Sequence, residues 1–242
     1  MNDLAEHFAR LDWVRGEIDK LAKELAEFAA SDPIQVIWHF EIPQCNPWRI
    51  YRTKQVAHLP QVTQIHAGVI INELRAILDA LACALAVRNG HDNVKGTYFP
   101  TGQTKEIFDD QLKRKTKKLS AQDRDTIATL RPFLGGNDLL YALHSSDIIR
   151  KHQRLIVLTG NVENFSMGSN RGWSLDGSKF DYIKAGQPIG EPFARLAPDY
   201  HIEFRFSVVA VFAEPDAIKS KPVVTVLNDF AGAVESILKL FA

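Results

Sequence analysis

The spacing of apolar residues predicts a helical first half followed by strands. Apolar residues recur every three or four positions over residues 4–30, which predicts an amphipathic helix that Asp32-Pro33 ends. Two alternating stretches follow at 34–40 and 49–56, on either side of a proline-rich turn at 43–47. Alternation of this kind around a turn predicts a β-hairpin.

The longest helical pattern covers about 59–87 and is apolar on several faces, so we expect it to form a central, buried helix. The positions that indicate this burial are Val62, Ile65, Val69, Ile70, Leu74, Ile77, Leu78, Leu81 and Leu85. Shorter helices are predicted near 104–118, near 120–130 after an N-cap at Ser120, and from Leu139 to about Lys151 after a cap at Asn137 or Asp138.

From residue 155 onward, the helical spacing of apolar residues gives way to short segments rich in Ile, Val, Phe and Tyr. Strands are predicted at 155–161, 179–184 and 201–212, separated by glycine and proline signals. We expect them to form one antiparallel sheet, which can also take up the early hairpin. Residues 223–241 then carry an apolar stripe that is typical of a C-terminal helix.

These elements predict an α+β fold in a single domain over 1–242. A bundle-like helical part, built around the long central helix, is expected to pack with the antiparallel sheet, and the C-terminal helix closes the domain. The helical part is mainly 1–30 and 57–152, the sheet-forming parts are 34–56 and 154–213, and the C-terminal helix is 223–241.

Charge and cysteine content narrow the classes of function. Lys+Arg and Asp+Glu both number 29, so the chain lacks the basic excess of duplex nucleic-acid binders. A net charge of zero leaves self-association open, including a homodimer. Cys45 and Cys83 show no disulfide or zinc pattern, and neither a signal peptide nor a membrane-length apolar run is visible. We therefore expect a cytoplasmic protein without a membrane partner.

Three stretches and one dipeptide resemble a group of uncharacterised bacterial proteins. The stretches are 74–82, 130–144 and 147–152, and the dipeptide is Phe99-Pro100. The approximate pattern of the group is LRsaLDhLa…FPi…LQPy.ggn..LwlLh.LnniDKHR. The resemblance covers residues from about 70 to 155 and implies one folding unit. It implies no activity, because none is known for the group.

The chain departs from that pattern at three positions near its polar residues. Ala80 stands where the pattern has His, Arg150 where it has Asp, and Gln153 where it has Arg. Lys151 and His152 match the pattern. A site built on these residues within the group would therefore be incomplete in this chain.

Two rows of polar residues interrupt the helical patterns. One row is Asn72, Arg75 and Asp79, and the other is His144, Asp147 and Lys151. Steps of three and four put each row on one face of its helix. Because a buried charge is costly unless it is paired, we expect the two helices to face each other through these rows. We favour a scaffold that fixes helix register over a catalytic site.

The same region supplies the candidates for chemistry. The candidates for catalysis are His152, Arg75, Asp79 and Lys151, and the candidates for ligand binding are His144 and Asp147. A histidine such as His152 can serve as a general acid or base near neutral pH. Arg150, Lys151 and Arg154 beside it could hold an anion. The competing interpretation is that His152 only marks the end of a helix.

No pattern indicates a metal or a cofactor, and we expect neither. His39, His58 and His66 lack ligand spacing, and the chain has no P-loop, Rossmann glycine run or Gly-x-Ser-x-Gly motif. The basic run from Lys113 to Lys118 could contact phosphates. A solvated helix end is the favoured interpretation, because cations are common at helix C-termini.

A binding or interaction protein is the favoured function, and two enzyme classes are the alternatives. One is an RNA-cleaving enzyme of the HEPN type, which uses an Arg and a His a few residues apart on one helix. The spacing fits only from Arg195 to His201, which crosses Pro198 in a predicted loop, so these two residues do not carry the signature. The remaining variant pairs His152 with Arg75 or Arg154. The other is a small-molecule enzyme near Arg75, Asp79 and His152, with the Phe99-Pro100 loop as a lid.

Overall fold

The structure is a computed structural model, and it describes residues 4–42, 48–152, 158–169, 174–176, 192–196 and 202–242. The fold is α+β, as the sequence predicts. The helices are α1 (Ala5–Ala30), α2 (Gln61–Arg88), α3 (Lys105–Lys115), α4 (Ala121–Thr129), α5 (Asp138–His152) and α6 (Val223–Phe241). The strands are β1 (Ile34–Glu41), β2 (Trp48–Gln55), β3 (Leu158–Ser169), β4 (Ser174–Asp176), β5 (Pro192–Leu196) and β6 (Ile202–Phe212).

The chain forms two compact units. The helical unit consists of Met1–Ala22, Gln61–Leu158 and Phe212–Ala242, and the sheet unit consists of Lys23–Pro60 and Thr159–Val211. The prediction of a single domain over 1–242 stays a prediction. No helix in the described part of the chain is long and apolar enough to cross a membrane.

Helix α2 is the central element of the helical unit, and both α5 and α6 pack against it. Its buried side chains include Leu74, Ile77, Leu78 and Leu81. Helix α6 buries the stripe that the sequence predicts, which is Val226, Phe230, Val234, Ile237, Leu238 and Phe241. It also buries Val223, Leu227 and Ala231. Burial of each large apolar side chain contributes about 1.5–3 kcal/mol, so this helix-on-helix core is the main source of stability in the unit.

The first turns of α2 differ from the expectation of a central, buried helix. Val62, Ile65 and Val69 are exposed by 62, 48 and 38 %. Their spacing places them on one face of the helix. An apolar side chain is buried only where another element covers it, and a local pattern cannot show which face is covered.

Side chains cap two helices where the sequence predicts caps. Ser120 Oγ accepts a hydrogen bond of 3.1 Å from the amide of Asp123 at the start of α4. Asn137 Oδ1 accepts one of 3.1 Å from the amide of Leu140 at the start of α5. Asn137 is thus the residue that caps α5. Asp138 accepts instead from the amide of Gly135, whose φ of 80° suits glycine in the preceding turn.

The hairpin is confirmed, and the described strands form two sheets rather than the one antiparallel sheet that the sequence predicts. Strands β1 and β2 pair antiparallel from Ile34 with Gln55 to Glu41 with Trp48. Strand β5 pairs with the other side of β2, so one sheet has the order β1-β2-β5 and a second has the order β4-β3-β6. The short strand β5 starts with a proline and lacks an alternating pattern, and for this reason the sequence did not predict it.

Strand β6 agrees with the predicted strand at 201–212. Strand β3 extends to Ser169, past the predicted end at residue 161, and it continues through both Gly160 and Gly168. The predicted strand at 179–184 lies outside the described residues, as do residues 155–157.

Candidate functional site

Hydrogen bonds join α2 and α5 through the two polar rows. Asn72 Nδ2 donates to Asp147 Oδ1 over 3.1 Å, and Arg75 Nε donates to His144 Nδ1 over 3.3 Å. The two helices therefore face each other through these residues, as the spacing along each helix predicts. Whether the rows form a scaffold or a functional site depends on the hydrogen-bond and ion-pair partners of each polar group.

Arg75 and Asp79 together hold both backbone groups of Phe99. Arg75 Nη2 donates to the Phe99 carbonyl oxygen over 2.7 Å, and the Phe99 amide donates to Asp79 Oδ1 over 2.9 Å. The Phe99 ring is fully buried, and its centroid lies 5.8 Å from the Arg75 guanidinium carbon. One turn of α2 thus fixes the loop that contains Phe99-Pro100, which restricts its use as a mobile lid.

The Arg75 side chain is only 4 % exposed, and its charge is balanced by carboxylates. Its Nη1 lies 2.9 Å from Asp79 Oδ1 in an ion pair, although the N–H bonds are not aligned for a hydrogen bond with a described residue. Burial lowers the pKa of Arg75, whereas Asp79 and Asp147 raise it. Because an arginine guanidinium is not deprotonated in proteins, Arg75 stays charged at neutral pH.

His144 is neutral at physiological pH. Burial, together with the positive charges of Arg75, Lys115 and Lys151, lowers the pKa of His144 from 6.5 to about 3. Since Nδ1 accepts the hydrogen bond from Arg75, the proton of the neutral ring is assigned to Nε2. A histidine with so low a pKa is a weak general base at pH 7. His144 therefore suits an uncharged structural or ligand-contacting role.

Asp147 uses both of its carboxylate oxygens inside the network. Oδ1 accepts from Asn72, and Oδ2 lies 2.7 Å from Lys151 Nζ. The Asp147 side chain is 5 % exposed and that of Lys151 is 40 % exposed, so the pair lies at the boundary between core and solvent. Removal of either partner would leave the other charge without its main neighbour.

His152 is the last residue of α5, but its side chain is outside what the structure describes. Arg154 and His201 also lie outside the described residues. Arg195 belongs to strand β5 rather than to the loop that the sequence predicts. The catalytic roles considered for His152 therefore stay predictions.

A cleft of about 350 Å³ lies between α2 and α5, next to the polar rows. Its lining residues are Gln64, Ile65, Gly68, Arg150 and Lys151. A Cβ atom on Gly68 would lie 3.2 Å from both Cγ and Cδ of Arg150, so glycine is what lets the Arg150 side chain lie this close to α2. Unlike Lys151, Arg150 has no ion pair or hydrogen bond with any described residue.

The sequence indicated only part of this cleft. The sequence predicts that Arg150 and Lys151 can hold an anion, whereas it gives no indication that Gln64, Ile65 and Gly68 contribute. No local signal in the sequence marks them, because they line the cleft only after α2 and α5 have packed together.

The basic run at the end of α3 is partly occupied by internal contacts. Arg114 Nε lies 3.0 Å from Asp110 Oδ2, and Lys118 Nζ donates to the backbone oxygens of Asn93 and Lys95 over 2.6 and 2.9 Å. Lys115 Nζ lies 5.7 Å from the Tyr98 ring centroid, and burial together with Arg75 lowers its pKa. These contacts tie the run to its own unit.

The described residues include no group of three or more His, Cys, Asp or Glu side chains that could hold a metal ion. His66 Nε2 lies 3.0 Å from Glu17 Oε2, while His39 and His58 are exposed. The Cys83 thiol donates to the Thr97 carbonyl over 3.6 Å, and burial raises its pKa. Cys45 lies outside the described residues.

No protein-family model, curated protein or solved structure matches this chain. The resemblance to the bacterial group with the LR…DKHR pattern therefore stays a prediction. The site itself consists of a hydrogen-bonded and ion-paired polar network between α2 and α5. It lies beside a cleft in which one arginine has no partner among the described residues.

Proposed function

We propose that this protein is a binding protein, and that the cleft between α2 and α5 holds a ligand with an anionic group and a small apolar part. The observation that carries the proposal is the contrast between neighbouring residues of α5. Asp147 and Lys151 pair with each other at 2.7 Å. Arg150, between them in the sequence, lines the cleft and has no ion pair with a described residue.

The polar network supports a scaffold role rather than acid–base catalysis. Arg75 and Asp79 are engaged with the backbone of Phe99, and Asp147 is engaged with Asn72 and Lys151. His144 has a pKa of about 3 and is neutral at pH 7. General acid–base catalysis needs a group whose pKa lies near the working pH. Neither of the network residues with a shifted pKa, Arg75 and His144, meets that need.

The chemistry of the cleft suits a small anionic ligand. Its volume of about 350 Å³ lies at the lower end of ordinary small-molecule sites. The planar guanidinium of Arg150 can bind a carboxylate or phosphate through two parallel hydrogen bonds. Gln64 can donate a further hydrogen bond, and Ile65 supplies an apolar wall. A carboxylate on a short aliphatic chain combines these features.

Hexanoate is a suitable probe for this proposal. We expect a saturable hexanoate titration, followed by amide chemical shifts, to perturb residues at the start of α2 and the end of α5. Hexanol, which lacks the charge, should bind at least about tenfold more weakly. Arg150→Gln should weaken hexanoate to a similar extent, whereas Arg114→Gln, which removes an arginine paired with Asp110 at the surface of α3, should leave it unchanged.

Failure of hexanoate to bind, or equal affinity in the wild type and Arg150→Gln, would contradict the proposal. The catalytic alternatives are tested separately by incubating the wild type and His152→Ala with mixed RNA. We expect intact RNA in both samples. Cleavage by the wild type that is lost in His152→Ala would replace the binding proposal with the HEPN-type alternative.

A further inference from the structure

Strand β1 lies at an edge of its sheet, because the described strands follow the order β1-β2-β5. All eight of its residues, from Ile34 to Glu41, pair with β2 in an uninterrupted register. An edge strand uses its backbone hydrogen-bonding groups on one side only, and the groups on the other side can pair with a further strand. Because β1 pairs with β2 without a bulge, the backbone groups on its outer side are regularly spaced for pairing with another strand.

The side chains of β1 are unusually apolar for an exposed edge. Ile37, Trp38 and Phe40 are exposed by 43, 47 and 48 %, and Ile42, just after the strand, by 69 %. Because side chains alternate along a strand, Ile37 and Trp38 lie on opposite faces. Edge strands usually carry a lysine, a proline or a bulge that prevents pairing. Strand β1 has none of these, and its single charge is Glu41 at the end.

The opposite edge of the same sheet has those protective features. Strand β5 is only five residues long, begins with Pro192 and contains Arg195. Its pairing with β2 shifts register between Tyr51 and Arg52. The two edges therefore differ in kind: β5 discourages the addition of a strand, whereas β1 permits it.

An ordered aromatic pair lies in the middle of the exposed strand. The rings of Trp38 and Phe40 meet edge to face, with centroids 5.3 Å apart. The guanidinium carbon of Arg49 lies 4.5 Å from the Trp38 centroid and 5.6 Å from that of Phe40. Rings that are already held in place lose less conformational freedom when a partner covers them. The pair is thus suited to anchor an interface.

We infer that β1 pairs antiparallel with β1 of a second copy of this chain, forming a homodimer. The distribution of charge within the strand favours the antiparallel arrangement of the two copies. Antiparallel pairing sets each Glu41 beside the uncharged start of the other strand, near Ile34 and Gln35. Parallel pairing would set the two Glu41 residues side by side. Two-fold antiparallel pairing also joins the apolar stretch around Trp38 to itself, the self-complementary contact that a symmetric dimer requires.

The zero net charge of the chain removes general repulsion between copies. This inference is independent of the ligand proposed for the cleft between α2 and α5, since it concerns the sheet unit. Loss of ligand binding would therefore leave dimerisation measurable, and loss of dimerisation would leave ligand binding measurable.

Sedimentation velocity over a wide range of protein concentration tests the inference. Trp38→Lys adds the charge that protected edges carry, and Trp13→Lys makes the same change at a tryptophan of similar exposure, 51 %, on α1. We expect the wild type and Trp13→Lys to form dimers. The dissociation constant of Trp38→Lys should rise at least about thirtyfold, the effect of losing a central aromatic anchor.

Ile37→Lys, on the other face of β1, should also give a monomer, and it replaces Trp38→Lys if that variant does not fold. Circular dichroism checks that each variant keeps its helix content. A wild type that stays monomeric at the highest concentration would overturn the inference. Dimers of folded Trp38→Lys or Ile37→Lys with wild-type affinity would overturn it as well.

Discussion

The buried guanidinium of Arg75 donates a hydrogen bond of 2.7 Å to the backbone oxygen of Phe99, 24 residues further along the chain. One helical turn later, Asp79 accepts the amide hydrogen of the same Phe99 over 2.9 Å. An ion pair of 2.9 Å links the two side chains. The charges of this pair therefore join a central helix to a loop, and the stability of the helical unit should depend on both.

Replacement of Arg75 by methionine should lower the free energy of unfolding by about 3–5 kcal/mol, the usual cost of removing one partner from a buried pair. The change leaves Asp79 without its counter-charge and the Phe99 carbonyl without its donor. Urea unfolding followed by circular dichroism measures the loss. Arg114→Met, at an arginine whose side chain is 63 % exposed, should change stability by less than about 0.5 kcal/mol. Equal stability of Arg75→Met and the wild type would refute the scaffold interpretation.

Asp79→Asn distinguishes the contribution of the ion pair with Arg75 from that of the hydrogen bond to the Phe99 amide. An asparagine oxygen can still accept from the Phe99 amide, but it cannot balance the charge of Arg75. In a double-mutant cycle with Arg75→Met, we expect a coupling free energy of about 0.5–3 kcal/mol. Additive effects of the two substitutions would show that Arg75 and Asp79 stabilise the fold independently, contrary to this prediction.

The low pKa of His144 should make stability fall as the pH falls below neutral. Well above pH 6.5 the ring is neutral in both the folded and the unfolded state, and His144 makes no pH-dependent contribution. Between pH 6.5 and about 3 the unfolded chain binds a proton that the folded chain does not, so unfolding becomes easier. His144→Gln removes the titrating group and keeps an acceptor for Arg75.

Urea unfolding between pH 6 and pH 5 avoids most carboxylate titration. Within that range we expect the wild type to lose up to about 1.4 kcal/mol per pH unit more than His144→Gln. The imidazole resonances of His144 should also stay constant from neutral pH down to pH 5. A His144 resonance that titrates near pH 6.5 would show that the ring is accessible and unperturbed.

Gly68→Ala distinguishes the effect of this position on ligand binding in the cleft from its effect on the stability of α2. Alanine in a helix interior usually adds about 0.5–1 kcal/mol relative to glycine, but the new Cβ would lie 3.2 Å from two atoms of Arg150. We expect little change in stability and weaker binding of hexanoate, because Arg150 must move. Gly16→Ala in α1, where no atom lies within 4 Å of the added Cβ, should show the full gain in stability. Hexanoate affinity in Gly68→Ala equal to that of Gly16→Ala would contradict the proposed position of Arg150.

The sequence by itself determined the elements whose signals are local. Periodic apolar residues predicted α1, α2 and α6, and alternating ones predicted the β1–β2 hairpin. Polar residues before helices predicted a cap at Ser120 and one at Asn137 or Asp138, of which the structure shows Asn137. The sequence also predicted that the two polar rows face each other, because three- and four-residue steps define a helix face and buried charges need partners. These inferences depend only on neighbours along the chain and on the cost of burying charge.

Tertiary structure decided which surfaces are covered and which residues share a cleft. The apolar pattern could not show that Val62, Ile65 and Val69 stay exposed while Ile70 is fully buried. Nor could it show that β5 joins the hairpin or that Gly68 lies against Arg150. Both depend on contacts between residues far apart in sequence, and the free energy of such contacts is set by packing rather than by local propensity.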